Sequence, residues 1–312
     1  MAQAAAAPAG RVASVLDYEE KRFPLNLHPV LPDIRQLWDL SNKHAWDPAT
    51  DIPWDRFDAS KYTQRQRDAA RLYWSRRAWT EYTGTAESPA VLLRLVLEPD
   101  REIDARIFWA VQTLEETRHC IASYLFAEKL GGYMSAPPKT PPKSTHHRGI
   151  RDKVLNPAIS FEAFVVAHIC IGETVAAKMF EERYRHTTDP VAKELVKLIL
   201  RDEVRHIQFG WRYMAHRVKT FTPELIAEME RIAIDVMENS ELKGFHCIWL
   251  VPNEFTAPLI EANNITAEAG LGGSSPEAEM RALVESIRKI RDDMKPWGIN
   301  IPIFEHEVLG RV

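Results

Sequence analysis

The sequence predicts an all-α protein: a four-helix bundle with one long crossover and additional N- and C-terminal helices. Three observations carry this. Two five-residue segments, Glu115-Glu116-Thr117-Arg118-His119 and Asp202-Glu203-Val204-Arg205-His206, share the pattern acidic-Glu-x-Arg-His within stretches rich in helix formers. A third stretch, Ala163 to Ala177, is apolar except for His168, Glu173 and Thr174, as expected of a helix buried nearly all round. Pro and Gly clusters separate these stretches, and no segment of weight alternates with the period of a strand.

The elements follow in chain order. Residues 1–10 (MAQAAAAPAG) lack a basic start and a long apolar stretch, so a disordered tail is expected rather than a secretory signal. Residues 11–60 are rich in Pro and Trp, broken at Asp47-Pro48 and Ile52-Pro53-Trp54, and predict short helices and loops over one end of the bundle. The first core helix runs from Thr63 to about Leu97. Within it Pro89 either kinks the helix or starts a continuation capped by Ser88. After the Glu98-Pro99-Asp100 turn, residues 101–130 form the second, stopped by Gly131-Gly132. Residues 131–150 carry four Pro and cannot be regular; they supply the long crossover. Their His146-His147 pair is read as solvated. The third helix spans Phe161 to about Tyr184 and the fourth residues 190–218. A fifth runs from Thr222 to about Leu242, capped by Thr222-Pro223-Glu224. Residues 264–275 are expected as a Gly/Ser loop, and Pro276 to about Met294 as a last amphipathic helix. The domain reading is therefore a tail over 1–10, a bundle domain over 11–245, and a C-terminal helical extension over 246–312 packed on the bundle.

Composition bounds the function. Apolar content of 45% and charged content of 27% in 312 residues are those of an ordinary globular protein with a sizeable core. A net charge of −4 offers no nucleic-acid or anionic-membrane signature, and no apolar run approaches the length of a membrane span. Cys120, Cys170 and Cys247 lie in apolar segments without paired spacing and are expected as reduced thiols of a cytoplasmic protein.

The chemistry lies in the two motifs. A Glu and a His three residues apart share one helix face and can reach one metal ion. Glu116 and His119 share their face with Trp109, Gln112 and Ser123; Glu203 and His206 share theirs with Val196, Ile199, Gly210 and Tyr213. An ionised carboxylate in such company is costly unless paired, hydrogen-bonded or metal-bound. Glu173, isolated on the apolar third helix, is the third carboxylate; without a cation it would have to be protonated. The first helix offers Glu81 or Glu87, about 600° apart and so on different faces. Glu81 is preferred because Ala78, Gly84 and Thr85 leave room beside it, whereas Pro89 disturbs the backbone near Glu87. Glu115, Arg118, Asp202 and Arg205 could hold the free imidazole N–H groups or pair across helices, or else form ordinary surface ion pairs. Four carboxylates with two imidazoles suit two iron ions, with manganese also compatible, better than zinc.

With these residues the chain resembles ferritin-like di-iron carboxylate oxygenases. Residues 79–85 (WTEYTGT), 114–119 (LEETRH), 171–175 (IGETV) and 202–206 (DEVRH) are similar to the four ligand helices of bacterial multicomponent hydrocarbon monooxygenase hydroxylase subunits. The wide first spacing resembles the p-aminobenzoate N-oxygenase family, although Ile199 stands where those enzymes carry a further His. The similarity covers residues 63–215. It implies Glu81, Glu116, His119, Glu173, Glu203 and His206 as ligands of two irons. It also implies an O2-dependent oxygenase that hydroxylates or N-oxygenates a small organic substrate. Gly270-Leu271-Gly272-Gly273 is not a dinucleotide fingerprint, so electrons are expected from an external ferredoxin or flavin reductase. A homodimer is the assembly to test. The competing readings are a di-iron desaturase or oxidase without oxygen insertion, and an iron-storage or radical-generating protein. A radical Tyr would sit one turn beyond His119, where Ser123 stands, and Tyr124 points about 100° away.

Overall fold

The computed structural model describes residues 14–18, 23–24, 26–98, 101–139 and 153–312. The expected tail over 1–10, the His146-His147 pair and most of the Pro-rich crossover lie outside the described residues. The helices in chain order are α1 (Pro32–Lys43), α2 (Gln64–Leu97), α3 (Ile103–Lys129), α4 (Phe161–His186), α5 (Pro190–Arg217), α6 (Pro223–Asn239), α7 (Ala257–Glu268) and α8 (Pro276–Met294). A two-residue antiparallel pairing of Glu305–His306 with Gly310–Arg311 closes the chain.

Local chemistry sets the boundaries. Thr63 and Gln66 form a capping box at the start of α2, each side chain accepting from the other's backbone N–H. Asp189 Oδ1 accepts from the backbone N–H groups of Val191 and Ala192 at 2.9 Å, with Pro190 as first helical residue of α5. Gly131 and Gly132, at φ 122° and 105°, end α3 in a conformation that side-chain-bearing residues avoid. Of the two outcomes left open for Pro89, α2 adopts a single continuous helix with Pro89 inside it.

The helices α2 to α5 form the ferritin-like bundle. Short turns join α2 to α3 and α4 to α5, which makes each pair antiparallel neighbours. Helix α1 lies over α3 and α5, α6 and α8 pack on α4, and α7 packs on α2. Fully buried Asp104 ties the N-terminal segment to the start of α3: it accepts from Val30 N–H at 2.7 Å, Leu31 N–H at 2.8 Å and Arg35 Nε at 2.8 Å. The C-terminal helices share one apolar core with the bundle, Leu283, Ile287 and Ile290 packing with Ile171, Val175 and Met179.

Two features depart from the sequence reading. Residues 264–268, expected as loop, are the last turns of α7, leaving only residues 269–275 as connection. Helix α7 carries Pro258 in its first turn and is followed by Gly270 (φ 69°), and its weak amphipathic pattern hid it. The Gly run after it docks on α2, where Trp74 Nε1 donates to Leu271 O and Tyr73 OH to Gly272 O. Second, α4 is not a uniform α-helix, since Val166–Glu173 winds as π-helix between two α-helical runs. Gly210 of α5 permits this, as a Cβ there would collide with Ile169 of the widened turn. By length and composition alone α4 could cross a membrane, but 72% of its apolar window is buried inside this bundle.

Candidate metal centre

Each bundle helix delivers its acidic residue to one place. Glu116, Glu173, Glu203 and His206 bring ligand atoms within 4.8 Å of one another, and so do Glu81, Glu116 and His119. Glu116 belongs to both groups. Glu203 also faces both imidazoles, lying 3.5 Å from His119 Nδ1 and 3.3 Å from His206 Nδ1. The rings are 6.1 Å apart between centroids. This is a cage with two places for a cation, two carboxylates between them, and one further Glu at each end.

Gly84 explains how Glu116 reaches the centre. A Cβ on Gly84 would lie 2.7 Å from Glu116 Oε2, so the carboxylate occupies space that only glycine leaves free. Glu173 is the last residue of the π-helical run, and the wider winding sets where its carboxylate meets Glu203 and Glu116. Glu81 rather than Glu87 joins the cage, and Arg77, one turn earlier on α2, forms an ion pair with it. Glu87 is buried but lines the adjoining cavity instead.

A crossed network holds the imidazoles. His119 of α3 approaches Asp202 of α5 through Nε2 at 3.3 Å, and His206 of α5 approaches Glu115 of α3 through Nε2 at 2.9 Å. Arg205 donates to both carboxylates and, through Nε, to Ser41 Oγ of α1 at 2.9 Å. Trp46 Nε1 donates to Asp202 Oδ2 at 2.8 Å. Arg118, grouped with these residues in the sequence reading, stands apart. It is half-buried and makes no hydrogen bond or ion pair among the described residues. The physical difference from Arg205 is α1, whose Ser41 gives the latter an inward partner.

With each Nε2–H directed at a carboxylate, each Nδ1 carries a lone pair. Both Nδ1 atoms are fully buried without a hydrogen-bond partner, as is Glu203 Oε2. Acceptors therefore face acceptors inside the protein, an arrangement that only cations or extra protons satisfy. The titration behaviour says the same. Burial and then the charge of Glu203 push Glu116 up to about 7, and burial with the same neighbours pushes Glu173 well above the usual range. Glu203 is held at about 2: burial opposes this, but His206 and His119, raised against burial by the surrounding carboxylates and so carrying the extra protons of the metal-free cage, outweigh it. Burial likewise opposes ionisation of Asp202, yet His119, Arg205 and Trp46 hold it at about 2. Oxygen-rich donors with two imidazoles fit a pair of iron or manganese ions.

Beside the cage a cavity of about 1160 Å³, counted out to its mouth, runs between α2 and α4. Glu81, Glu116, Glu173 and Glu203 form one wall, while Phe164, Ala167, Ala176, Phe180 and Val236 supply apolar surface. Sequence reasoning missed Trp46, Ser41, Arg77 and the cavity walls, because none sits in a motif or shares a period with the ligand pairs.

Among solved structures, the chain aligns with an R2-like ligand-binding oxidase from Sulfolobus acidocaldarius. The TM-score is 0.55 at 20% identity, over 78% of this chain and 93% of that one. The fold is that of the R2-like ligand-binding oxidases. A second such oxidase, solved with an aerobically reconstituted metal cofactor after photoconversion, aligns at TM-score 0.60 and 14% identity over 86% and 93% of the two chains. Others of that kind were reconstituted with Mn/Fe cofactors. No family model matches the sequence, and no curated protein matches it either.

Proposed function

We propose that this chain is an O2-dependent non-haem di-metal oxidoreductase that hydroxylates or N-oxygenates a small organic substrate held in the cavity between α2 and α4. The observation that carries the reading is the shared wall: four carboxylates of the candidate metal cage line the cavity between α2 and α4, whose other walls are partly apolar. An iron pair, or a mixed iron and manganese pair as in the R2-like oxidases, would be held by Glu81, Glu116 and His119 on one side and Glu173, Glu203 and His206 on the other. When bound, such a pair supplies redox equivalents and a site for dioxygen. The chain's own residues do the rest. Asp202 and Glu115 fix both imidazoles with Nδ1 inward, Arg205 locks the two carboxylates, and the apolar walls exclude water from the substrate. Electrons come from a ferredoxin or flavin reductase.

A second reading has its own support. The solved structures that share this fold are oxidases, so oxidation without oxygen insertion suits the same geometry. Loading the protein with ferrous ion under argon and then admitting air tests both. The expected result is about two irons per chain, rapid O2 uptake and a coloured diferric product. Many irons per chain would indicate storage, and no O2 uptake would defeat both readings. Single turnover in 18O2 with organic substrates then separates them, by label in the product or only in water.

A further inference from the structure

The outer side of α2 and α3 differs from the rest of the surface. Among the described residues, helices α1 to α8 expose six large apolar side chains: Tyr82, Leu93, Leu114, Ile121, Tyr124 and Val204. All but Val204 belong to α2 and α3. Helix α7 covers the first half of α2, where Leu259, Ala262 and Ile265 pack with Ala69, Leu72 and Trp79. Past Trp79 the helix presents exposed Tyr82, Ala86 and Leu93. The two charged residues between Tyr82 and Leu97, Glu87 and Arg94, are both buried. On α3 the residues Ile103, Ile107, Ala110, Leu114, Ile121 and Leu125 make one stripe at spacings of three and four, exposed at Ala110, Leu114 and Ile121 and half-buried elsewhere. Arg118 is the one charge on it, and its aliphatic stem can lie along the stripe.

Because α2 and α3 are antiparallel neighbours, these sides form one face. Its helical stretches rise about 24 Å and about 35 Å, and at a helix spacing of about 8–10 Å they span roughly 600 Å². An apolar patch of that size is seldom left bare on a monomer. Taken twice it reaches about 1,200 Å², the size at which specific interfaces begin. We propose that this face docks a second copy of the chain about a two-fold axis, and that the docked copy braces the metal-bearing stretch of α2. A two-fold axis normal to the face lays antiparallel helices on one another, and the spacing on α3 is that of a helix seam. Homodimer interfaces are the more apolar class, whereas a reductase that comes and goes needs a more polar face. An anionic membrane would call for a basic rim, and Arg118 stands alone on its stripe. The bracing follows from position. Gly84, packed against Glu116, and Pro89, which removes a backbone hydrogen bond from α2, both lie in the uncovered half of that helix. Dimer and bound metal are therefore linked, each favouring the other. The bracing rests on the metal cage, while the interface stands on its own geometry.

The test is sedimentation of the full-length protein at micromolar concentration, with and without cobalt(II). Wild type should sediment at twice the mass of the chain. Leu114→Glu and Leu93→Glu should each sediment at the mass of one chain with native circular dichroism, and Ile303→Glu, exposed elsewhere, should stay dimeric. If Leu114→Glu is poorly folded, Leu93→Glu carries the same expectation. Cobalt(II) affinity should fall about fivefold or more in the monomeric variants. Mass and cobalt(II) binding are read independently, so failure of the face and failure of the cage are distinguishable. A monomeric wild type overturns the inference, and so does wild type that floats as monomer on phosphatidylglycerol vesicles. A dimer that ignores both substitutions places the interface elsewhere, and undiminished cobalt(II) affinity in the monomers overturns the bracing.

Discussion

The two halves of the metal cage are built on opposite principles. On the α3/α5 side the groups behind the cage hold one another: both imidazoles, Glu115, Asp202 and Arg205 form a network reaching Trp46 and Ser41. On the α2/α4 side the carboxylates sit beside a cavity, on a helix containing Gly84 and Pro89 and on another wound partly as π-helix. The first half fixes positions. The second leaves a cavity against Glu81 and Glu173 that a ligand can enter.

Breaking the rigid half should have the largest effect. Arg205→Ala leaves Glu115 and Asp202 as buried anions with one partner fewer each. It should destabilise the protein by about 3–5 kcal/mol in urea unfolding. A loss below 1 kcal/mol would mean that the network is not the stiff element. On the adaptable side, Gly84→Ala drives a Cβ against Glu116 Oε2. Stability should fall by about 1–3 kcal/mol, and metal analysis should give fewer than two ions per chain in a protein with native circular dichroism. Full metal content in that variant would show that Glu116 has another route to the centre.

The same contrast explains what could be foreseen. The helices with Glu-x-x-His pairs announce themselves because period, spacing and charge coincide at positions 116, 119, 203 and 206. Glu173 was visible as a lone charge in an apolar run, and Glu81 as the candidate with small neighbours. The π-helical run was not visible, since widening a helix leaves no composition signal and depends on Gly210 across the interface. Nor was α7, whose pattern is weakly amphipathic. Trp46, Ser41 and the arginines of the cavity come from segments far apart in sequence, and only packing brings them to the site. Arg118 shows the converse: the same motif position as Arg205, with a different fate because α1 supplies an inward partner to one of them alone.

Acidity sharpens the comparison further. Glu116 titrates near 7 in the metal-free cage. Below that value a cation must expel its proton, and above it the proton has already left. Affinity for cobalt(II) should therefore rise from pH 6 to pH 8, by about tenfold per unit for each proton a cation displaces, since Glu173, His119 and His206 are raised as well. Calorimetry in buffers of different ionisation enthalpy should detect the released proton, and a flat profile would place that proton elsewhere. The smallest effect belongs to Arg118→Ala, expected within about 0.5 kcal/mol of wild type with unchanged metal content; a larger loss would return Arg118 to the network.

The central claim is that six side chains from four helices hold two cations through the Nδ1 atoms of His119 and His206. Anomalous diffraction from crystals loaded with ferrous or manganous ion addresses it directly. The account predicts two peaks per chain, one between Glu81, Glu116 and His119 and the other between Glu173, Glu203 and His206. A single peak, or none within reach of both imidazoles, would contradict it.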